Sequence, residues 1–159
     1  MPSLYSLPSP NVCLSNLRNI LSYGVMGVVL TLLLAASADA EGVVFIASAN
    51  VPETSLTATD VMNIFLGTKT TWSNGSKITF VTLKDGEPHS QFLKDYIKRN
   101  PSQFKNHWKK MLFTGKGVIP KSFDTDEAVV DFVSKNDNMI GYISKPIENP
   151  GIKVLTISQ

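Results

Sequence analysis

The chain has 159 residues, and its 15 lysines and arginines nearly balance its 13 aspartates and glutamates, giving a net charge of +2. Charges of both signs are interspersed, so the sequence lacks the basic stripe of a nucleic-acid-binding protein and the polybasic patch of a membrane-surface protein. The only cysteine, Cys13, lies near the N-terminus. This position excludes a disulfide, a thiol nucleophile and a thiolate metal site from the rest of the chain.

An apolar run near the N-terminus indicates a targeting segment. Residues 25–36 are almost entirely apolar, and the small residues Ala38 and Ala40 follow directly before Glu41. This pattern is typical of a secretory signal peptide with an A-x-A cleavage site. The run is about 12 residues long, which is short of the roughly 20 that a membrane span needs.

We therefore predict two segments. Residues 1–40 form a signal peptide with a long leader, and residues 41–159 form one exported domain, with no membrane span after cleavage. The length of the exported part suits a single compact domain. The alternative is that residues 20–38 remain as an uncleaved membrane anchor.

The exported part begins with a strand, a helix and a second strand. Residues 43–47 are continuously apolar, which favours a strand buried on both faces. Thr57 and Asp60 fit a variant capping box at the start of a helix, and Gly67 fits its end. Residues 77–83 alternate and are rich in β-branched side chains, so they predict the second strand.

Three helices are predicted next. Apolar residues at helical spacing place one between the turn at Gly86 and Ile97. Asn100 and Gln103 frame the start of another, with a proline at the first helical position. Asp124 is predicted to begin the last of the three.

Two late strands complete the exported part. They are predicted over residues 139–143 and 152–157, which are apolar runs separated by prolines and a glycine. The resulting order, β-α-β-α-α-α-β-β, predicts an α/β layer fold.

Five segments together resemble a known family. They are residues 60–67 (DVMNIFLG), residues 72–75 (WSNG), Trp108, residues 113–117 (FTGKG) and residues 140–143 (IGYI). In this order and spacing they resemble the phosphate-specific ABC-transporter substrate-binding proteins. The resemblance covers nearly all of the exported part.

The resemblance implies a fold and a class of function. Full-length members of the family have two lobes that close on an oxyanion, and this chain is long enough for one. The implied fold is a single lobe of a type 2 periplasmic-binding-protein-like fold, with a mixed central sheet flanked by helices. The implied function is solute binding in the periplasm, with phosphate or another oxyanion as the ligand and with no cofactor.

The turn after the second strand is the motif that bears most directly on function. In the family this turn reads Gly-Ser-Gly-Thr, with an arginine shortly before it. Gly86 matches the first glycine, whereas Glu87, Pro88 and His89 occupy the next three positions, and Leu83 falls at the arginine position.

These departures predict a weaker anion site. Pro88 has no amide hydrogen to donate, and the carboxylate of Glu87 would repel a phosphate about 4 Å away by ~1 kcal/mol in water. The same carboxylate is stabilised at a helix N-terminus by ~0.3–1 kcal/mol, so we predict a helix start that carries its own cap. The alternative is that Lys84, His89 and Ser90 converge on an anion.

Other polar groups are further candidates. Asn50, Ser55 and Thr57 follow the first strand, and ligands of open α/β sheets gather at strand ends; the alternative is turn and capping chemistry. Lys116 would bring one positive charge to a cleft rim, or else stabilise a helix C-terminus. The complete set of ligand-binding candidates is Asn50, Ser55, Thr57, Lys84, Gly86, His89, Ser90 and Lys116.

The sequence contains no pattern that indicates catalysis or a metal site. Its two histidines, His89 and His107, lack metal-ligand spacing, and no nucleophile elbow or triad order is present. Two functional hypotheses remain. The first is an oxyanion-binding solute receptor. The second is a periplasmic interaction or sensory module that has lost the anion site and contacts a periplasmic or inner-membrane protein.

Overall fold

The computed structural model describes residues 42–158. The strands are β1 (Val44–Ser48), β2 (Ser55–Thr57), β3 (Thr79–Leu83), β4 (Lys121–Phe123), β5 (Met139–Ile143) and β6 (Ile152–Ser158). The helices are α1 (Ala58–Phe65), α2 (Glu87–Phe92), which continues as a π-helical turn over Leu93–Ile97, α3 (Pro101–Phe113) and α4 (Asp126–Ser134). No helix of residues 42–158 combines the length and the apolar character needed to cross a bilayer. The predicted signal peptide and the alternative anchor lie outside the described residues.

The strands form one mixed sheet in the order β2-β6-β1-β5-β3-β4. β1 is antiparallel to both β5 and β6, whereas β3 is parallel to β5 and to β4. This arrangement confirms the predicted mixed sheet flanked by helices. It also means that β1 and β3 run in opposite directions, so the residues that follow them leave the sheet at opposite ends. We call the end at which β3 and β5 finish the turn end.

Local helix signals are confirmed at two starts. Thr57 caps α1 in a reciprocal capping box with Asp60, and Asn100 caps α3 in the same way with Gln103. The predicted start of α4 at Asp124 is two residues early, because the helix begins at Asp126, with Thr125 at the cap position accepting a hydrogen bond from the Ala128 amide.

Two edge strands were not predicted. β2 and β4 have three residues each and pair on one side only, β2 with β6 and β4 with β3. A strand this short has no periodicity of its own, and its conformation depends on the neighbour that supplies hydrogen bonds.

Aromatic side chains dominate the core on one side of β5. Tyr142 is fully buried and stacks on Phe92 with ring centroids 4.0 Å apart. Phe45 and Phe65 meet edge to face with centroids 6.4 Å apart. On the other side, Gly141 allows α4 to approach the sheet closely, since an added Cβ would lie 3.1 Å from Val129 Cγ1. Packing on both faces therefore holds β5 in place. Its last residue lies at the turn end, beside the turn between β3 and α2.

Candidate functional site

The turn between β3 and α2 leaves backbone amides without partners among residues 42–158. Gly86 occupies the N-cap position with an extended φ of 164°, and no side chain caps the helix. The Ser90 amide donates to the Gly86 carbonyl at 2.9 Å. The amides of Glu87 and His89 precede this bond, and the first amides of a helix have no intrahelical acceptor. The predicted self-capped start is therefore wrong: Glu87 is exposed and does not cap α2.

A small cleft of about 250 Å³ lies beside this turn. Its lining residues are Gly42, Val43, Glu87, Pro88, Gln91 and Ser144. Among the described residues that line it, Glu87 carries the only charge, so an anion in the cleft would meet this carboxylate and none of the described cations. An anion bound by the amides of the turn would therefore be repelled by the Glu87 carboxylate.

Lys84 is the cation nearest to the turn in sequence, and it is already paired. Its Nζ lies 2.7 Å from Asp124 Oδ2, and both side chains are more than half exposed. An exposed ion pair contributes little free energy. Lys84 could therefore exchange this partner for an anionic ligand at small cost.

His89, which occupies the position of the family's threonine, points into the core. It is 6% exposed, and its Nδ1 lies 2.5 Å from the Tyr142 hydroxyl. Burial lowers the pKa of His89 below its ordinary value, although nearby Asp85 opposes this shift. Burial also raises the pKa of Tyr142. Both groups are thus neutral at pH 7, and the His89 side chain stabilises the turn from its core side. Ser90, one residue further, is exposed.

A buried carboxylate outside the set of predicted candidates supports the turn end. Asp126 is 9% exposed, and its Oδ2 accepts hydrogen bonds from the Ser144 amide at 3.0 Å and from the Ser144 hydroxyl. This contact joins the end of β5 to the first turn of α4, next to the cleft that Ser144 lines. No signal in the sequence separates Asp126 from an ordinary acidic residue at a helix N-terminus.

The candidates that follow β1 lie elsewhere. Asn50 lies at the opposite end of the sheet, where its side-chain oxygen accepts a hydrogen bond from the Asn138 amide at 3.1 Å. The length of β5, roughly 15 Å, separates it from the turn. Ser55 and Thr57 lie on the edge strand β2, four strand spacings or roughly 19 Å from β3. Thr57 Oγ1 is engaged by the Asp60 amide at 3.0 Å.

Lys116 lies away from the turn as well. It follows the end of α3 and lines a second, larger groove of about 750 Å³ beside the first residues of β3. Of the eight candidates, the structure brings together Lys84, Gly86, His89 and Ser90 in one turn, and within that turn His89 faces inward.

Solved structures share this fold at low sequence identity. A putative phosphate ABC transporter substrate-binding protein with bound phosphate from Clostridium perfringens is 20% identical, with a TM-score of 0.52 over 73% of this chain and 44% of its own length. PstS from Borrelia burgdorferi is 18% identical, with a TM-score of 0.54 over 73% of this chain and 47% of its own. A phosphate binding protein from Stenotrophomonas maltophilia is 17% identical, with a TM-score of 0.51 over 74% of this chain and 39% of its own.

The chain thus spans less than half the length of these three structures, which confirms the expected single lobe. Among curated protein sequences, none matches this chain. A sequence model described as the PBP superfamily domain matches residues 39–153, which is most of the chain. The chain therefore belongs to the family that this model describes, the PBP superfamily domain.

Proposed function

We propose that this chain is an exported, non-enzymatic solute-binding lobe that binds phosphate or a similar oxyanion at the turn between β3 and α2. The observation that carries the proposal is the pair of amides of Glu87 and His89 at the start of α2, which have no acceptor within the described part of the chain. Amides at a helix N-terminus attract anions. The fold is shared with a protein whose structure contains bound phosphate, which supports the same ligand class here.

The site we propose is weak in the isolated lobe. A single lobe contacts the anion from one side only. In the adjacent cleft, the Glu87 carboxylate repels an anion. The ion pair between Lys84 and Asp124 is exposed and contributes little free energy, so Lys84 can leave Asp124 at small cost. Its positive charge then offsets part of the repulsion between Glu87 and the anion. A second copy or another periplasmic or inner-membrane protein would supply the opposite wall and exclude water.

Isothermal titration of the purified protein with phosphate, sulfate and molybdate tests the proposal. We expect binding of at least one oxyanion at millimolar concentration. Glu87→Gln should strengthen binding by about fivefold, since it removes ~1 kcal/mol of repulsion, and Lys84→Ala should weaken it. Glu148→Gln is the matched control, because it removes an exposed acid outside the turn.

The absence of heat for all three anions, with both the wild type and Glu87→Gln, would reject the oxyanion site. That result would leave the second hypothesis, a periplasmic interaction or sensory module that keeps the fold without the ligand. A Glu87→Gln variant that binds no better than Glu148→Gln would show that the bound anion is not at this turn.

Export to the periplasm is part of the proposal and has its own test. Mass spectrometry of the protein recovered from an expressing Gram-negative cell should give Glu41 as the first residue, as expected from the alanines at 38 and 40. A recovered chain that retains residues 20–38 and fractionates with the membrane would contradict cleavage and support the anchor.

A further inference from the structure

The larger groove lies beside the first half of β3, away from the turn end. Its volume is about 750 Å³. Of the described residues that line it, four are lysines, namely Lys69, Lys77, Lys116 and Lys121, and one is acidic, Asp137. The lining therefore carries an excess of positive charge, although the whole chain has a net charge of only +2.

The lysines differ in how they are engaged. Lys69 Nζ pairs with Asp60 at 2.8 Å, and Lys121 Nζ lies 4.6 Å from the ring centroid of Phe132. Among the residues that the structure describes, neither Lys77 nor Lys116 takes part in an ion pair. Two positive charges are thus available to a ligand without any internal bond having to break.

The same groove exposes apolar surface. Val118 and Ile119, which are 75% and 54% exposed, line it together with Met111 of α3, whereas the neighbouring Trp108 is buried. Phe113, at the end of α3, is 86% exposed. Isolated exposed apolar residues are ordinary, but a contiguous apolar patch with a polar rim is typical of an interaction site.

β3 offers little free backbone to the groove. β4 pairs with Val81–Leu83 only, and Ile119 and Pro120, which precede β4, form no strand pair with β3. The Thr79 amide donates to the Asn138 carbonyl on the β5 side, so Phe80 is the residue of this short stretch whose backbone faces the groove side. The groove is therefore suited to recognition through its side chains.

We propose that this groove binds an acidic segment of a partner protein, in which carboxylates reach Lys77 and Lys116 and apolar side chains contact Val118 and Ile119. The assignment of an acidic partner rests on charge complementarity with the lysine rim. The assignment of apolar contacts rests on the exposure of Val118 and Ile119. The site is separate from the proposed oxyanion turn and does not depend on it.

A peptide-binding measurement tests the proposal. The probe is a short fluorescein-labelled peptide in which leucine alternates with glutamate, and binding to the full protein is followed by fluorescence anisotropy. One control peptide replaces every glutamate by lysine, and another replaces every leucine by serine. We expect only the leucine–glutamate peptide to bind, with affinity that falls as salt is raised from about 50 to 300 mM.

Variants locate the site. The double variant Lys77→Glu/Lys116→Glu should weaken binding by about tenfold or more, because two favourable ion pairs become repulsive, and Val118→Asp should weaken it similarly. Lys105→Glu is the matched control, since it reverses an exposed lysine of α3 that does not line the groove. Circular dichroism of each variant verifies that it is folded.

Three outcomes would overturn the proposal. The first is equal binding of the glutamate and lysine peptides, or equal loss in Lys105→Glu. The second is no peptide binding together with cosedimentation on phosphatidylglycerol vesicles that Lys77→Glu/Lys116→Glu abolishes, which would assign the patch to an anionic lipid surface. The third is a dimer that Val118→Asp converts to a monomer, with no peptide binding, which would assign the patch to a second copy of this chain.

Discussion

The two ends of β3 differ in how far their polar groups are already satisfied. At the turn end, Lys84 is paired with Asp124 and His89 with Tyr142, while Glu87 places a negative charge in the cleft. At the other end, Lys77 and Lys116 have no ion-pair partner within residues 42–158, and the exposed Val118 lies beside them. At the end that resembles the family's ligand site, more of the polar side chains thus have partners within the chain.

This difference shows that the position of a motif and the availability of its groups are separate properties. The turn keeps the backbone path that presents amides at a helix start, because Gly86 and the buried His89 hold it. The side chains of Lys84 and His89 in this turn, however, are committed to neighbours. In the groove, Lys77 and Lys116 and the exposed Val118 and Ile119 remain available to a ligand.

Overpacking the sheet under both ends should have the largest effect. Gly141→Ala adds a Cβ 2.9 Å from Val81 Cγ2 and 3.1 Å from Val129 Cγ1, so we expect the free energy of unfolding to fall by ~1–3 kcal/mol. Urea denaturation measures this change. Gly42→Ala is the control, because nothing lies within 4 Å of its added Cβ. Equal midpoints for the two variants would contradict the close packing of α4 on β5.

Removing the hydroxyl that contacts His89 should act at the turn end. Tyr142→Phe leaves the buried Nδ1 of His89 without its partner 2.5 Å away, and we expect a loss of ~1–2 kcal/mol in unfolding free energy. The double variant Tyr142→Phe/His89→Phe removes both polar groups and should recover part of that loss. If the two single substitutions prove strictly additive, the pair is not coupled.

The burial of His89 predicts a pH dependence of the same region. In the folded state the pKa of His89 is lowered by burial, whereas the unfolded chain binds the proton with the ordinary pKa. The unfolded state therefore gains more protons as the pH falls through about 6.5, and stability should decrease from pH 7 to pH 5 by at most ~1.4 kcal/mol per unit. His89→Gln should flatten this part of a Tm–pH profile. An unchanged profile in that variant would exclude His89 as the source.

Releasing Lys84 should have the smallest effect on stability. Asp124→Asn removes the exposed partner of Lys84, and we expect less than ~1 kcal/mol of change in unfolding free energy. Phosphate affinity, measured by isothermal titration, should rise by about two- to threefold, because the lysine becomes available at the turn. A decrease in affinity would mean that the ion pair positions Lys84 for the ligand and does not compete with it.

Much of the fold was predictable because its signals are local. The capping boxes at Thr57 and Asn100 and the apolar runs of β1 and β5 depend on residues within a few positions of each other. β2 and β4 escaped prediction because their hydrogen bonds come from strands far away in the sequence.

The candidate site was less predictable, for two reasons. The sequence placed Asn50 and Gly86 after strands but carried no information on strand direction. Because β1 is antiparallel to β5 and β3 is parallel to it, Asn50 and Gly86 lie at opposite ends of the sheet. The direction of the His89 side chain was also undetermined, since a histidine in a turn can face either solvent or core.

By itself, the amino-acid sequence determined the family, the order of the main elements and the unfavourable charge at residue 87, since these follow from residue identity and short-range spacing. Only the tertiary structure decided that His89 is buried against Tyr142, that Lys84 is paired with Asp124, and that a lysine-rimmed groove lies beside the first half of β3. The physical reason is that burial, pairing and strand neighbours arise from contacts between residues that are distant in the chain, and those contacts exist only after the sheet has formed.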